Sequence, residues 1–140
     1  MKQCPSRLKF RKNHKCSKSF FFLNDKKTFY PKVGRLALKS LQPGKLTFKQ
    51  IEAGRKSLRR NVKKLGYVFI RVFTSKSVTR KPVAVRMGKG KGNHSFWMCP
   101  VRAGQIIFEL CNVPVNIGLK ALRRASNKMP FKCSIVKLVF

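Results

Sequence analysis

Thirty-four Lys and Arg residues stand against three carboxylates, Asp25, Glu52 and Glu109, in a chain of 140 residues. The resulting formal charge of +31 constrains the fold before any pattern is read. A compact state carrying such a charge repels itself, so it calls for a polyanion alongside. Nucleic acid supplies one, since its phosphates are dense and binding to them releases condensed counterions. An anionic membrane would attract the same charge, but no apolar run approaches the roughly 18 residues of a spanning helix. The charge also covers the whole length rather than one amphipathic stretch. Membrane binding is the weaker reading. Hydrophobic residues still make up 43 % of the chain, with twelve Phe, which is more than a solvated tail carries. The balance points to one domain with a real core that binds through its surface and extensions.

Cys4, Cys16, Cys99, Cys111 and Cys133 are far apart and include no C-x-x-C pair. That spacing argues against a disulfide framework and against a zinc ribbon. His14 and Cys16 are the only close pair of soft ligands and lack the other half of a site, so no metal and no cofactor are expected. Reduced, mostly buried thiols in a reducing interior fit better. The N-terminus has no apolar stretch ahead of a cleavage site, and SFFFL at 19–23 is far too short to span anything. Residues 1–18 only loosely meet the composition of an organellar transit peptide.

Along the chain, residues 1–18 form a basic arm of the kind that becomes ordered by lying along phosphates. Residues 19–140 then make a single α+β domain. Within it, 19–45 is expected to be irregular, broken by Pro31, Gly34, Pro43 and Gly44, with a short strand near Arg35–Ser40. Thr47 and Gln50 have the spacing of a capping box. Phe48, Ile51, Leu58, Val62 and Leu65 then share one helical face, and Gly66 suits the residue just past the end. Lys49, Lys56, Arg59, Arg60, Lys63 and Lys64 cover most of the rest, with only Glu52 near the start. A one-signed face is costlier to leave bare than a mixed one, so it is expected to face phosphate.

YVFIRVF at 67–73 predicts a strand, 74–81 a polar connection, and Pro82–Met87 the next strand. GKGKGN follows, then strands at HSFWMCPV and QIIFELC separated by the turn RAG. That order suggests an antiparallel meander with the glycine loop at one hairpin end. A second helix is expected over 115–128, closed by Pro130, and FKCSIVKLVF supplies a last strand. The architecture is helices on one antiparallel sheet.

Little here could catalyse a reaction. The three carboxylates are scattered, so paired acid/base work and a magnesium site lack parts. His14 and His94 are better placed to contact phosphate or base, and no catalytic residue is expected. The glycine loop lacks the Ser/Thr and the following helix of a P-loop, and the spacing and helix of a dinucleotide site. It does offer close backbone approach and lysines that reach phosphate. Arg86 can fork to two phosphates or stack on a base. A floppy hairpin tip is the plain alternative. Phe96 and Trp97 stand just behind the loop, and at least one of them is expected in the core.

LTFKQIEAGRKSLRR at 46–60, YVFIRVF at 67–73 and above all KPVAVRMGKGKGN at 81–93 resemble the bacterial-type family of large-subunit ribosomal protein L-sixteen. RLKFRKNHK at 7–15 resembles that family's basic arm, and GQIIFEL at 104–110 its strand after the loop. The similarity covers most of residues 5–136. The resemblance implies an α/β-hammerhead-like α+β sandwich that binds large-subunit rRNA where tRNA passes from the A site to the P site. It implies rRNA contacts by Arg7, Lys9, Arg11, Lys12, His14 and Lys15 in the arm. On the first helix it implies them at Lys49, Lys56, Arg59, Arg60, Lys63 and Lys64. Arg86, Met87, Gly88, Lys89, Gly90, Lys91 and Gly92 would extend toward the peptidyl-transferase region and tRNA. The implied partners are rRNA, A- and P-site tRNA and neighbouring large-subunit proteins, with no membrane. The family's role is positioning and late subunit assembly; RNA carries the chemistry.

The chain departs from the family at 16–45, where the family is Gly-rich. It departs again at Cys111-Asn112, in place of an Asp-Gly turn, and at Gly54, in place of a helix alanine. With the Lys and Phe enrichment, these departures fit a fast-evolving organellar copy. The arm motif begins almost at Met1, which leaves no room for a removable presequence. A mitochondrial large subunit is therefore expected first, a plastid or the bacterial cytoplasm after it. A ribosome-independent RNA chaperone or nucleoid protein, and a basic nuclease, are the rival functions.

Overall fold

The computed structural model describes residues 5, 6, 8–15, 20 and 26–138. Arg7, Cys4, Cys16 and Asp25 therefore lie outside the described residues. The elements run α1 (Lys26–Phe29), β1 (Leu36–Ser40), β2 (Gly44–Thr47), α2 (Phe48–Val62), β3 (Tyr67–Ile70) and β4 (Lys76–Arg80). They continue through β5 (Asn93–Val101), β6 (Ile106–Cys111), α3 (Val115–Ser126) and β7 (Cys133–Lys137). The fold is α+β, with two principal helices on antiparallel sheet. None of the described helices is long and apolar enough to cross a membrane.

The capping box is present as the spacing predicts. Thr47 N donates to Gln50 Oε1 at 2.9 Å, and Gln50 N donates to Thr47 Oγ1 at 3.4 Å, which satisfies two donors left over at the helix start. From there Ile51, Gly54, Leu58 and Val62 are buried at helical spacing. The helix stops at Val62, not at Leu65, which is 52 % exposed. Its cap is Lys63, at φ 52, whose N–H bonds Arg59 O. Gly66 lies beyond the cap, and a Cβ there would come within 2.4 Å of Cys111 O. At the other departure the turn survives: Asn112 takes the left-handed conformation, at φ 56, which Asn tolerates better than most residues.

The single meander expected from the strand order is in fact two sheets. One has four strands in the order β3-β6-β1-β7, the other three in the order β2-β5-β4. The nine residues of β5 are long enough to pair with β2 and β4 on its two sides. Residues 76–80 form a strand rather than a polar connection, because the hairpin sets Val78 opposite Phe96 and Lys76 opposite Met98. In an edge strand, ladder hydrogen bonds can stand in for a hydrophobic pattern. Conversely, 82–87 is loop and not strand. Pro82 has no N–H to give a ladder, and Val83 stands 96 % exposed. Within 19–45, residues 26–45 are also less irregular than expected, holding α1 and the start of β2 as well as β1; residues 19 and 21–25 lie outside the described residues.

Helices α2 and α3 pack on the four-stranded sheet, burying Leu58, Val62, Ala121, Leu122 and Ala125 against Leu36, Leu38, Phe108 and Leu110. Leu46, Cys99 and Val101 bring the smaller sheet into the same core. Each fully buried Leu or Ile is worth about 1.5–3 kcal/mol. Gly54 faces the Phe108 ring, and a Cβ there would sit 2.9 Å from it and 2.8 Å from Met129 Cε. Packing thus accounts for the glycine where the family has alanine. Gly54→Val is expected to lower stability by about 1–3 kcal/mol through overpacking, read as a lower urea midpoint with an unchanged slope.

The described cysteines, Cys99, Cys111 and Cys133, are free thiols. Burial pushes the Cys133 thiol up to about 11, which keeps it protonated and unreactive near neutral pH.

Candidate nucleic-acid interface

Cations from three segments meet the solvent without matching acids among the described residues. The arm residues Lys9, Arg11, Lys12, His14 and Lys15 are all exposed and lie in neither helix nor strand. The arm is nonetheless tied down. Lys12 Nζ donates to Lys91 O at 3.1 Å, Lys91 Nζ donates to Asn13 O, and Ser77 Oγ donates to Arg11 O. Arm and loop base are thus one surface, a contact that nothing in the spacing of residues 12 and 91 announces. Arg7 lies outside the described residues.

The loop between β4 and β5 carries three consecutive left-handed residues, Gly88 (φ 93), Lys89 (φ 51) and Gly90 (φ 80). A Cβ at either glycine would meet nothing within 4 Å. These glycines are therefore required by backbone conformation and not by crowding within the chain. Gly92 differs, since a Cβ there would lie 2.7 Å from the Arg80 carbonyl where the hairpin closes. Lys81 Nζ donates to Gly88 O, folding the loop back on its own base. Arg86, Met87 and Lys89 project into solvent, with Met87 98 % exposed, while Lys91, also exposed, reaches back to the arm.

On α2 the residues Lys49, Lys56 and Arg60 follow one another at seven and four positions, which lines them along one edge of the helix, and Lys63 follows as its cap. All four are exposed, as are Arg59 and Lys64. Arg59 Nη1 donates to Gly66 O at 3.3 Å, and Lys63 also serves as the helix cap, so these two have structural duties as well. Two cations that the sequence reading left out join the stripe. Arg124 and Lys128, at the end of α3, share a cleft with Lys56, Ser57, Arg60 and Asn61, and Arg124 donates to Asn61 Oδ1. For Arg124 the signal was a basic last turn on α3, which becomes informative only once α3 is known to lie beside α2; Lys128 follows just past the helix.

The two described carboxylates take no part in this surface. Glu52 is paired with Arg55 at 2.6 Å, and that hydrogen bond holds its carboxyl below the ordinary value. Glu109 is fully buried and accepts from the N–H groups of Lys32, Val33 and Gly34. Arg71 Nη1 completes its shell at 3.1 Å. Among the described residues no three His, Cys, Asp or Glu side chains come close enough to hold a metal. Neither of the two aromatic residues after the loop is fully buried. Trp97 packs against His94 with ring centroids 4.7 Å apart, and Phe96 stays 43 % exposed.

An α+β core with a tethered basic arm, a cationic hairpin loop and a one-signed helix edge defines a strongly basic protein whose exposed cations suit a polyanion. The sequence profile of the family described as ribosomal protein L16p/L10e matches residues 5–136. The large ribosomal subunit protein uL16 of Maricaulis maris is 44 % identical over 137 residues, covering 94 % of each chain. That of Pseudoalteromonas atlantica is 41 % identical over 132 residues, again 94 % of each. That of Blochmanniella pennsylvanica is 39 % identical, over 94 % of this chain and 96 % of its own. The chain belongs to the L16p/L10e family of ribosomal proteins. Its role is structural, not enzymatic.

Proposed function

We propose that the chain is a structural constituent of the large ribosomal subunit that binds large-subunit rRNA and orders the path of tRNA between the A and P sites. In this reading the arm and the α2 edge hold rRNA, and the loop from Arg86 to Gly92 reaches toward the peptidyl-transferase region. The observation that carries it is the tie between Lys12, Asn13 and Lys91, which joins arm and loop into one cationic surface. Neither described carboxylate lies on that surface. The exposed apolar tip supports it too, because Val83 and Met87, 96 % and 98 % exposed, gain from being covered. Late incorporation suits a protein whose extensions need RNA already in place. The relatives named above are bacterial, while the enrichment in Lys and Phe favours an organellar, mitochondrial ribosome for this copy.

Sedimentation of native extract through a gradient at physiological and then high salt tests the reading. Co-migration with the large subunit that resists moderate salt is the expected result. Recovery at the top of the gradient, or spread over DNA, would mean that a free RNA chaperone or a nucleoid protein has reused the fold.

A further inference from the structure

The outer face of the smaller sheet carries a cavity of about 460 Å³ lined by residues from the arm, β2, β4, the loop base and β5. Val78, Phe96 and Met98 line it, and register places Val78 beside Phe96 and Lys76 beside Met98. Lys15 enters from the arm, Lys45 from β2, Lys76 from β4 and Lys91 from the loop base. Neither Glu52 nor Glu109 lines it. Phe96 also walls a second open hollow, shared with Lys49 and His94, whose His94 Nε2 is buried without a partner among the described residues.

A single exposed phenylalanine needs no explanation. One set mid-strand in a cavity ringed by four lysines does. An apolar ligand alone would leave the lysines uncompensated, and a bare anion would leave the aromatic wall unused. An unpaired nucleotide satisfies both, because its base is a flat π surface and its flanking phosphates are anionic. The size agrees, since the volume lies in the range of small-molecule sites. Duplex RNA does not fit, because its bases are stacked away from such a wall.

We propose that this cavity receives one unpaired RNA nucleotide, its base stacked on Phe96 and its flanking phosphates held by Lys15, Lys45, Lys76 and Lys91. The proposal rests on the RNA-binding reading and sharpens it. It adds a site for a single base to the cationic surfaces proposed above. The arm residues Asn13, His14 and Lys15 close one side of the cavity, so the arm positions the nucleotide as well as adding charge.

The test uses the full chain with a single-stranded RNA 12-mer and a matching strand whose residues are abasic. Base stacking makes the ordinary strand bind more tightly, and Phe96→Leu, which keeps the apolar volume, is expected to reduce that preference about tenfold. The salt dependence should stay unchanged, because no lysine is lost. Thermal unfolding of the variant at the wild-type temperature establishes that the sheet is intact. Ultraviolet crosslinking of the wild-type complex, mapped by mass spectrometry, should place a base on the β5 peptide. An undiminished preference in Phe96→Leu, or crosslinks confined to other segments, would overturn the nucleotide site alone. If wild type binds neither strand, the RNA-binding reading falls with it.

Discussion

Glu109→Ala is expected to lower the stability of the fold by about 2–3 kcal/mol, a large part of the roughly 5–15 kcal/mol that holds a domain together. The carboxylate is fully buried and gathers the backbone N–H groups of Lys32, Val33 and Gly34 with the Arg71 guanidinium. Gly34 makes that approach possible, since a Cβ there would lie 2.4 Å from Leu110 O. Removing the carboxylate leaves a guanidinium and three amides facing an empty space. Breaking a fully buried pair costs about 3–5 kcal/mol, but the Arg71 side chain is 21 % exposed and water can reach part of it. The loss therefore falls short of that range. Glu109→Gln keeps the shape and one acceptor, so its loss should be smaller. Glu52→Ala is the control. Its pair with Arg55 lies on the helix surface and is worth about 0.5 kcal/mol or less. Because Arg55 holds the Glu52 carboxyl below its ordinary value, that small contribution is present above the unfolded pKa. It fades as pH falls through the folded one. Equilibrium urea unfolding of the three variants decides the matter, and equal midpoints for Glu109→Ala and Glu52→Ala would refute the account.

That cradle marks where the sequence stops being informative. Local signals performed well. Thr47 and Gln50 announced the start of α2, and Asn112 kept its turn although the family's Asp-Gly is gone. Glu109 looked like one of three scattered acids, because most of its partners lie about 75 positions back in the chain and are backbone groups that leave no mark in composition. The strand error at 74–87 has the same origin. Val83, Val85 and Met87 alternate as a strand would, whereas KSVTR does not, so a hydrophobic pattern favours the wrong segment. Pairing with β5 decides it, and pairing is a non-local fact.

The candidate site was legible in part for the same reason. Charge is additive and can be read residue by residue, so the exposed cations of the arm, the α2 edge and the loop were visible in the sequence as candidates. Their grouping was not. Lys56 and Arg60 turn out to share a cleft with Arg124 and Lys128 from α3, while Lys45 and Lys76 join the arm and the loop base across a sheet face. At least one of Phe96 and Trp97 was expected in the core, because an aromatic strand residue usually belongs there, without a choice between them. The hairpin's register instead sets Phe96 on the open face. The glycines of the loop also gained a firmer reason, three successive left-handed backbone positions, than flexibility alone supplies.

Between 50 and 200 mM salt, the affinity of the full chain for a fragment of large-subunit rRNA is expected to fall by about 10³–10⁵, the range for roughly six to ten phosphate contacts. The division of the surface makes a sharper expectation. Alanine at Lys49, Lys56, Arg60 and Lys63 together removes one edge of α2 without touching its buried face, since all four are exposed. If each meets a phosphate, the slope of log affinity against log salt should shrink by about 3–4. The variant should also leave the subunit at lower salt than wild type. Alanine at Lys89 and Lys91 should act differently, because the loop is proposed to face tRNA and not the assembly contacts. Its slope with rRNA alone should change little beyond what Lys91 contributes at the arm. Particles that carry the variant should instead bind A-site tRNA more weakly. An unchanged slope in the α2 variant would mean that this edge faces solvent or protein, and the rRNA contact would have to be sought on the arm. A loop variant that fails to assemble at all would show the loop to be an rRNA anchor, with no separate part in guiding tRNA.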